Sequence, residues 1–349
     1  MSLFSHSAYD EHELVHFVRD VDSGLRGIIA VHSSALGPGA GGCRMWNYAS
    51  EDAALQDVLR LSRGMSYKNA MADLPLGGGK AVILGDARQD KSEALFEAFG
   101  RAVNGLAGQY VTAEDVGVCE ADMQIVARHT RYVSGLPQNG DAVGGDPSPK
   151  TALGVFCGIQ AAVSASLRRQ DLDGLRVAVQ GLGNVGRHLC ALLHEAGVRL
   201  WVADIDDEAV AQVCQRFDAT PVAVDEILYQ DVDVLAPCAL GGVLHSDSIP
   251  RLQARIVAGA ANNQLLRDAD GQRLFERGIL YAPDYVINAG GIISCSAEYI
   301  GGLSAAEVDA RVADIGPRLA EIFQRSQREK YPPNEIADAL ARDKLGRSS

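Results

Sequence analysis

The stretch Leu175-Arg176-Val177-Ala178-Val179-Gln180-Gly181-Leu182-Gly183-Asn184-Val185-Gly186 decides the fold of this chain. A short β-rich run, glycines spaced G-x-G-x-x-G, and then Leu189, Leu192 and Leu193 at helical spacing describe a strand turning into a helix. That context is what a dinucleotide fingerprint requires. Gly181 permits the tight turn, Gly183 lets backbone approach a pyrophosphate, and Gly186 lets helix and strand pack closely. The helix N-terminus at Asn184 and Val185 offers unpaired N–H groups and partial positive charge to the phosphates. A second β-rich run, Leu200-Trp201-Val202-Ala203, ends at Asp204, placed to accept hydrogen bonds from ribose hydroxyls. A 2′-phosphate would meet Asp204, Asp206, Asp207 and Glu208 with no Arg among them, so NAD is expected rather than NADP.

Toward the C-terminus, helical and strand patterns keep alternating: Ala209–Phe217, Val232–Leu235, Ile256–Val257, Ile279–Tyr281 and Val286–Ile287. Strands separated by helices imply a parallel sheet covered on both faces. The stretch Ala305–Arg328 reads as helix, broken at Pro332-Pro333 before a last short helix. Toward the N-terminus, Leu14–Val18 and Gly27–His32 read as paired strands, and Gly37-Pro38-Gly39-Ala40-Gly41-Gly42 as a loop. Leu55, Val58, Leu59 and Leu61 predict a helix that Gly64 stops, with a second helix over Leu95–Val103. Between them Gly77-Gly78-Gly79-Lys80-Ala81-Val82-Ile83 reads as a glycine turn feeding a buried strand. Composition shifts to Gly, Asp, Pro and Ser over Asn139–Pro149, the expected linker.

At 349 residues the chain favours two domains over one. Its 32 Lys+Arg against 45 Asp+Glu give a net charge of −13, a poor general partner for nucleic acid. No run of about 18 apolar residues predicts a membrane span, and the opening residues do not read as a signal peptide. Seven Cys without a C-x-x-C pair fit reduced thiols and a cytoplasmic setting. No metal site is expected. His12-Glu13-Leu14-Val15-His16 matches a zinc-peptidase pattern but sits in a strand-like segment, where a helix is required. Gly77–Lys80 is no phosphate loop, because Ala81 stands where Ser or Thr should bind magnesium. Lys80 remains unusual, since glycines before it and apolar residues after it aim its ammonium into a cleft. Lys68 has a similarly apolar setting, and Asp115 is available as an opposing carboxylate. A desolvated lysine can act as acid and base.

Met65–Lys68, Leu76–Ile83, Thr112–Gly117, Gly181–Gly186 and Ala258–Leu265, in this order, resemble the glutamate/leucine/phenylalanine/valine dehydrogenases nearly end to end. The leucine-specific branch is the nearest. The resemblance implies two α/β domains. Residues 1–145 would form a substrate-binding and oligomerisation domain, and 146–324 a Rossmann-type, doubly wound NAD-binding domain. Residues 325–349 would return to the first, with the active-site cleft between the domains and a hinge near Asp146–Lys150. It implies a homo-oligomer and oxidative deamination of an L-amino acid to a 2-oxo acid, ammonium and NADH. Lys68 would bind the substrate carboxylate, Lys80 the amino group or oxo oxygen and the attacking water, and Asp115 would shuttle protons. Gly41, Gly42 and Asn262 would also contact substrate. Asn262, Thr151, Ser148, Ala236, Pro237, Cys238 and Ala260 would line the cofactor.

The side-chain pocket of the family maps to Ala40, Ala113, Ile292 and Cys295, which are apolar and argue against a glutamate side chain. Ala113 matches the leucine type, while the small Ala40 leaves room for an aromatic ring. A branched aliphatic amino acid (leucine, valine, isoleucine) is expected, with phenylalanine second. The rival from another class is a non-catalytic NAD-binding regulator, which would need none of Lys68, Lys80 and Asp115. A hydroxy-acid dehydrogenase would want a catalytic His, and no His stands in a comparable place.

Overall fold

In a computed structural model of the chain, residues 3–136 and 145–347 are described. Most of the expected linker, 139–144, lies outside them. The chain divides into two compact units: Met1–Gly145 with Cys295–Ser304 and Ala341–Ser349, and Asp146–Ser294 with Ala305–Leu340.

In the first unit, β1 (Leu14–Asp20) and β2 (Leu25–Ser33) form an antiparallel pair, Leu14 opposite Val31 and Asp20 opposite Leu25. The glycine-rich segment after them is less loop-like than its composition predicts. It holds β3 (Gly39–Ala40), with β4 (Cys43–Trp46) directly beyond it. Helix α1 (Glu51–Met71), capped by the Ser50 side chain, runs straight through Gly64. Glycine inside a helix costs only about 1 kcal/mol, and burial of Ala54, Val58, Leu59, Ala70 and Met71 outweighs it. Then follow β5 (Gly77–Leu84), α2 (Glu93–Gly105), β6 (Tyr110–Val111) and α3 (Glu120–Ala127). The sheet order is β1-β2-β5-β3-β6, with β4 also paired to β5.

The glycines before Lys80 are strand, not turn. A Cβ on Gly77 would lie 2.1 Å from the Ser33 carbonyl oxygen, and one on Gly78 2.1 Å from the Ser66 nitrogen. Bare backbone lets α1 lie directly on β5. One face of the sheet packs Cys43, Met45, Ala81 and Ile83 against Phe96, Phe99 and Met123. The other packs Ile28, Ala30 and Val82 against Ala54, Val58 and Leu59 of α1.

The second unit opens with α4 (Ser148–Leu167), β7 (Arg176–Gln180), α5 (Asn184–Glu195), β8 (Arg199–Ala203), α6 (Asp207–Phe217) and β9 (Thr220–Pro221). It continues with β10 (Val234–Pro237), β11 (Ile256–Val257), α7 (Ala269–Glu276), β12 (Leu280–Tyr281) and α8 (Asp284–Ile287). Val286–Ile287 is therefore helix rather than strand, because Pro283 opens a turn there. The sheet is parallel throughout, in the order β12-β11-β10-β7-β8-β9. This is the doubly wound order, and its topological switch point lies between β7 and β10. By length and composition α4 is apolar enough to span a bilayer. Inside this unit, however, a Cβ on its Gly158 would meet Ile287 at 2.5 Å and Leu319 at 2.8 Å, which is core packing.

Helices α9 (Gly290–Ile300), α10 (Ala305–Ala313), α11 (Ile315–Glu329) and α12 (Pro333–Lys344) close the chain. Two details differ from the expected division. Residues 325–340 belong to the second unit, so only Ala341–Ser349 go with the first, and Cys295–Ser304 join it too. Hydrogen bonds over long sequence distances decide this. Arg342 Nε donates to the Tyr67 hydroxyl at 2.9 Å, Arg347 to the carbonyls of Asp10, Glu11 and His32, and Glu298 accepts from the Gly135 and Leu136 N–H groups.

Candidate active site

Strand alternation explains the arrangement in the first unit. Ala81 and Ile83 point to one core, so Lys80 shares the opposite face of β5 with Gly78 and Val82, the face that α1 covers. Its side chain is 7% exposed, and Nζ lies 2.7 Å from Asp115 Oδ2. Strand β4 carries Arg44 to the same place. The register Cys43–Ala81 and Arg44–Val82 ties β4 to β5, while Cys43 and Met45 N–H donate to the carbonyls of Ala113 and Val116. Arg44 Nε donates to Asp115 Oδ2 at 3.1 Å and Nη1 to Asp57 Oδ2 at 3.0 Å; the Tyr48 hydroxyl reaches the same Asp57 oxygen at 2.6 Å. Burial alone would raise the Asp115 carboxyl, yet Lys80 and Arg44 together hold it below the usual range, so it stays ionised. The sequence reading paired Lys80 with Asp115 and missed Arg44, Asp57 and Tyr48. The one local hint was a lone arginine between the apolar Cys43 and Met45, which does not say what it meets.

Lys68 sits in the last turn of α1. Cys295 lies in the field of Glu298, Glu114 and Lys68, and burial pushes its thiol up to about 12. The first unit thus gathers Lys68, Glu114 and Cys295. Ala40 is buried and Ala113 half-buried in the same unit, whereas Ile292 belongs to the second. Gly41 and Gly42 are demanded by packing, since a Cβ would lie 2.0 Å from the Gly79 carbonyl oxygen and 2.4 Å from that of Glu114 respectively. His12 is buried against the Leu59 carbonyl and the Ser62 hydroxyl, while His16 is exposed on β1.

In the second unit the expected cofactor residues collect at the carboxyl ends of the parallel strands. Gly181 follows β7 with φ +97°, a conformation that suits glycine. A Cβ on Gly186 would lie 2.0 Å from the Gly181 carbonyl oxygen, but one on Gly183 would meet nothing within 4 Å. Bare backbone facing open space, at the N-terminus of α5 with no acid in the first turn, fits a pyrophosphate. Asp204 directly follows β8, and its Oδ2 accepts from the Leu182 N–H at 2.5 Å. Ala236 and Pro237 end β10, and the Cys238 N–H donates to the Gln180 carbonyl across the switch point at 2.7 Å. Ala260 and Asn262 follow β11. Asn288, missed in the sequence, donates to the Asn262 side-chain oxygen at 2.6 Å and to the Ala260 carbonyl, fixing that loop. Ser148 and Thr151 stand in the first turn of α4, where the Thr151 hydroxyl donates to the Pro147 carbonyl at 3.0 Å.

A doubly wound parallel sheet with a glycine loop at its switch point, in a chain that also holds a close lysine–carboxylate pair, has the arrangement of dinucleotide-binding α/β enzymes. Residues 12–132 match the Glu/Leu/Phe/Val dehydrogenase dimerisation domain, and residues 202–341 match the Glutamate/Leucine/Phenylalanine/Valine dehydrogenase domain. The chain belongs to this family of amino-acid dehydrogenases. It is 47% identical to the leucine dehydrogenase of Bacillus subtilis, over 99% of this chain and 95% of that one. It is 46% identical to that of Geobacillus stearothermophilus, over 99% and 94%. The crystal structure of L-tryptophan dehydrogenase from Nostoc punctiforme superposes with a TM-score of 0.85 at 45% identity, covering 96% of each chain.

Proposed function

We propose that the protein catalyses reversible, NAD-dependent oxidative deamination of a branched-chain L-amino acid, leucine foremost and also valine and isoleucine. The products are the 2-oxo acid, ammonium and NADH. The observation that carries this reading is the Lys80–Asp115 pair, 2.7 Å apart and anchored on the central strand, in a chain so similar to leucine dehydrogenases. NAD, when bound, supplies the acceptor for the hydride leaving Cα. The residues to hold it are Gly181, Gly183, Gly186 and the first N–H groups of α5 at the pyrophosphate. Asp204 takes the adenosine ribose, and Thr151 and Asn262 the nicotinamide end. Lys68 holds the substrate α-carboxylate by charge. Lys80 hydrogen-bonds the amino group, then takes a proton from the water that attacks the iminium carbon. Asp115, having taken the proton that the substrate ammonium sheds before the hydride leaves, returns it to the nitrogen and accepts the hydroxyl proton of the water adduct as the carbon–nitrogen bond breaks and ammonia leaves.

The small, buried Ala40 supports a second reading, an aromatic amino acid handled by the same steps. A homo-oligomer is part of the proposal, supported by the dimerisation-domain match over residues 12–132. So is a reducing cytoplasmic setting, supported by seven unpaired cysteines. Absorbance at the NADH band is the direct test, with NAD present and leucine, valine or phenylalanine added in turn. A rise with leucine ahead of phenylalanine is expected, and the reverse order favours the aromatic reading. A flat trace with all three points to a regulator, and 2-oxo-acid-dependent NADH oxidation without ammonium points to hydroxy-acid chemistry.

A further inference from the structure

The proposed mechanism uses only the inner end of a string of linked polar and charged side chains in the first unit. Read inward, it runs Tyr48, Asp57, Arg44, Asp115, Lys80. The Tyr48 hydroxyl and Arg44 Nη1 meet on Asp57 Oδ2 at 2.6 and 3.0 Å, and Arg44 Nε and Lys80 Nζ meet on Asp115 Oδ2 at 3.1 and 2.7 Å. Arg44 therefore spends its planar fork on two different carboxylates, which fixes the guanidinium in one orientation. All of these side chains except Lys80 are only partly buried; Arg44 and Asp115 are each 24% exposed and Asp57 27%. As a surface pair Arg44 and Asp57 would contribute little to stability. Their placement matters more: β4 is hydrogen-bonded both to the segment that carries Asp115 and to the strand that carries Lys80.

We propose that Arg44, braced by Asp57 and Tyr48, is a positioning residue for the reacting pair: the permanent cation that keeps the Asp115 carboxylate aimed and charged while Lys80 gives up its proton. This rests on reading Lys80 and Asp115 as that pair. When Lys80 is neutral, a mostly buried carboxylate with no other counter-charge would already be protonated before the substrate nitrogen sheds its proton, and so could not accept it. Arginine does not lose its proton in a protein, so its charge persists through the cycle. The groups that face Asp115 are Lys80 from β5, Cys43 and Arg44 from β4, Tyr48 beyond it and Tyr110 from β6, with Asp57 of α1 behind Arg44.

The test is the acid limb of the kcat/KM profile for leucine deamination, a property of the coupled pair rather than of either residue. Removing a positive charge from beside the pair raises the pKa of both members; removing a negative one lowers it. Arg44→Gln is expected to move the limb up by about one pH unit. Asp57→Asn is expected to move it down by roughly half a unit, and Arg44→Lys to leave it close to wild type. Structural damage does not produce opposite signs. An even loss of activity at every pH in Arg44→Gln, or shifts of the same sign in Arg44→Gln and Asp57→Asn, overturns the proposal. Should Arg44→Gln not fold, Asp57→Asn decides alone, and an unmoved limb refutes it. Lys80→Ala separates the two readings. Near-normal turnover in that variant removes the reacting pair itself, whereas a dead Lys80→Ala beside an unshifted Arg44→Gln removes only the role of Arg44.

Discussion

The two units build their sites from opposite materials. In the first, the proposed site is made of side chains: Lys80 on β5 and Arg44 on β4 meet on one carboxylate oxygen of Asp115. In the second, the proposed site is made of backbone: Gly181 turns, Gly186 packs, and the Cβ position of Gly183 faces open space. The two therefore fail differently. A charge site is ruined by neutralising one member, because its partner is left buried and uncompensated. A backbone site is ruined by adding atoms, and only where the added atom collides.

Lys80→Ala is the strongest way to break that contrast. Turnover should fall by roughly three orders of magnitude or more, the scale of lost acid–base catalysis, while NAD binding, measured by fluorescence titration, stays near wild type. If NAD binding is lost as well, the two sites are not separable. A pair of glycine variants sharpens the other side. Gly186→Ala places a methyl 2.0 Å from a carbonyl oxygen and should destabilise the protein by about 1–3 kcal/mol. Gly183→Ala meets nothing within 4 Å and should unfold within about 0.5 kcal/mol of wild type. It should still bind NAD some tenfold more weakly, about 1.4 kcal/mol. Equal affinity for NAD in Gly183→Ala would mean that the bare backbone there serves no ligand.

The smallest effect concerns the stability of the first unit against pH. His32 is fully buried, and burial first, then Arg347 and His12, hold its imidazole well below the ordinary 6.5. The unfolded chain takes up this proton below about pH 6.5 and the folded chain does not. His32 therefore contributes stability that is intact above that pH and erodes as pH falls through the acidic range. The Asp115 carboxyl, held below its ordinary 3.8, loses its contribution only at still lower pH. Thermal melts at pH 7.5 and pH 5.5 should separate for wild type and converge in His32→Gln. Equal separation in both would place the acid sensitivity elsewhere.

The backbone site was the more legible of the two. Its glycines, its strand and Asp204 follow one another within 30 residues, and local spacing carries their meaning. The charge site was half legible: Lys80 and Asp115 stood out by type and setting. Arg44 did not, since nothing in its neighbourhood along the chain says that β4 lies between two functional segments. Gly64 misled because helix propensity is a weak local term and α1 is stabilised by what it buries. Gly77–Gly79 misled because the same residue that suits a turn also suits a strand lying flush against a helix.

By itself, the sequence determined the alternation of strands and helices, the glycine turn from β7 into α5 and the types of charged residue available to a site. Each of these depends on neighbours within a few turns of chain. Only the tertiary structure decided that Asp115 would face two cations and that Asn288 would hold Asn262. It also decided that Cys295–Ser304 would join the first unit and that the returning C-terminal segment would begin at Ala341. Those pairings are fixed by strand register and by hydrogen bonds spanning tens to hundreds of residues, and no local pattern encodes which distant partner a side chain will meet.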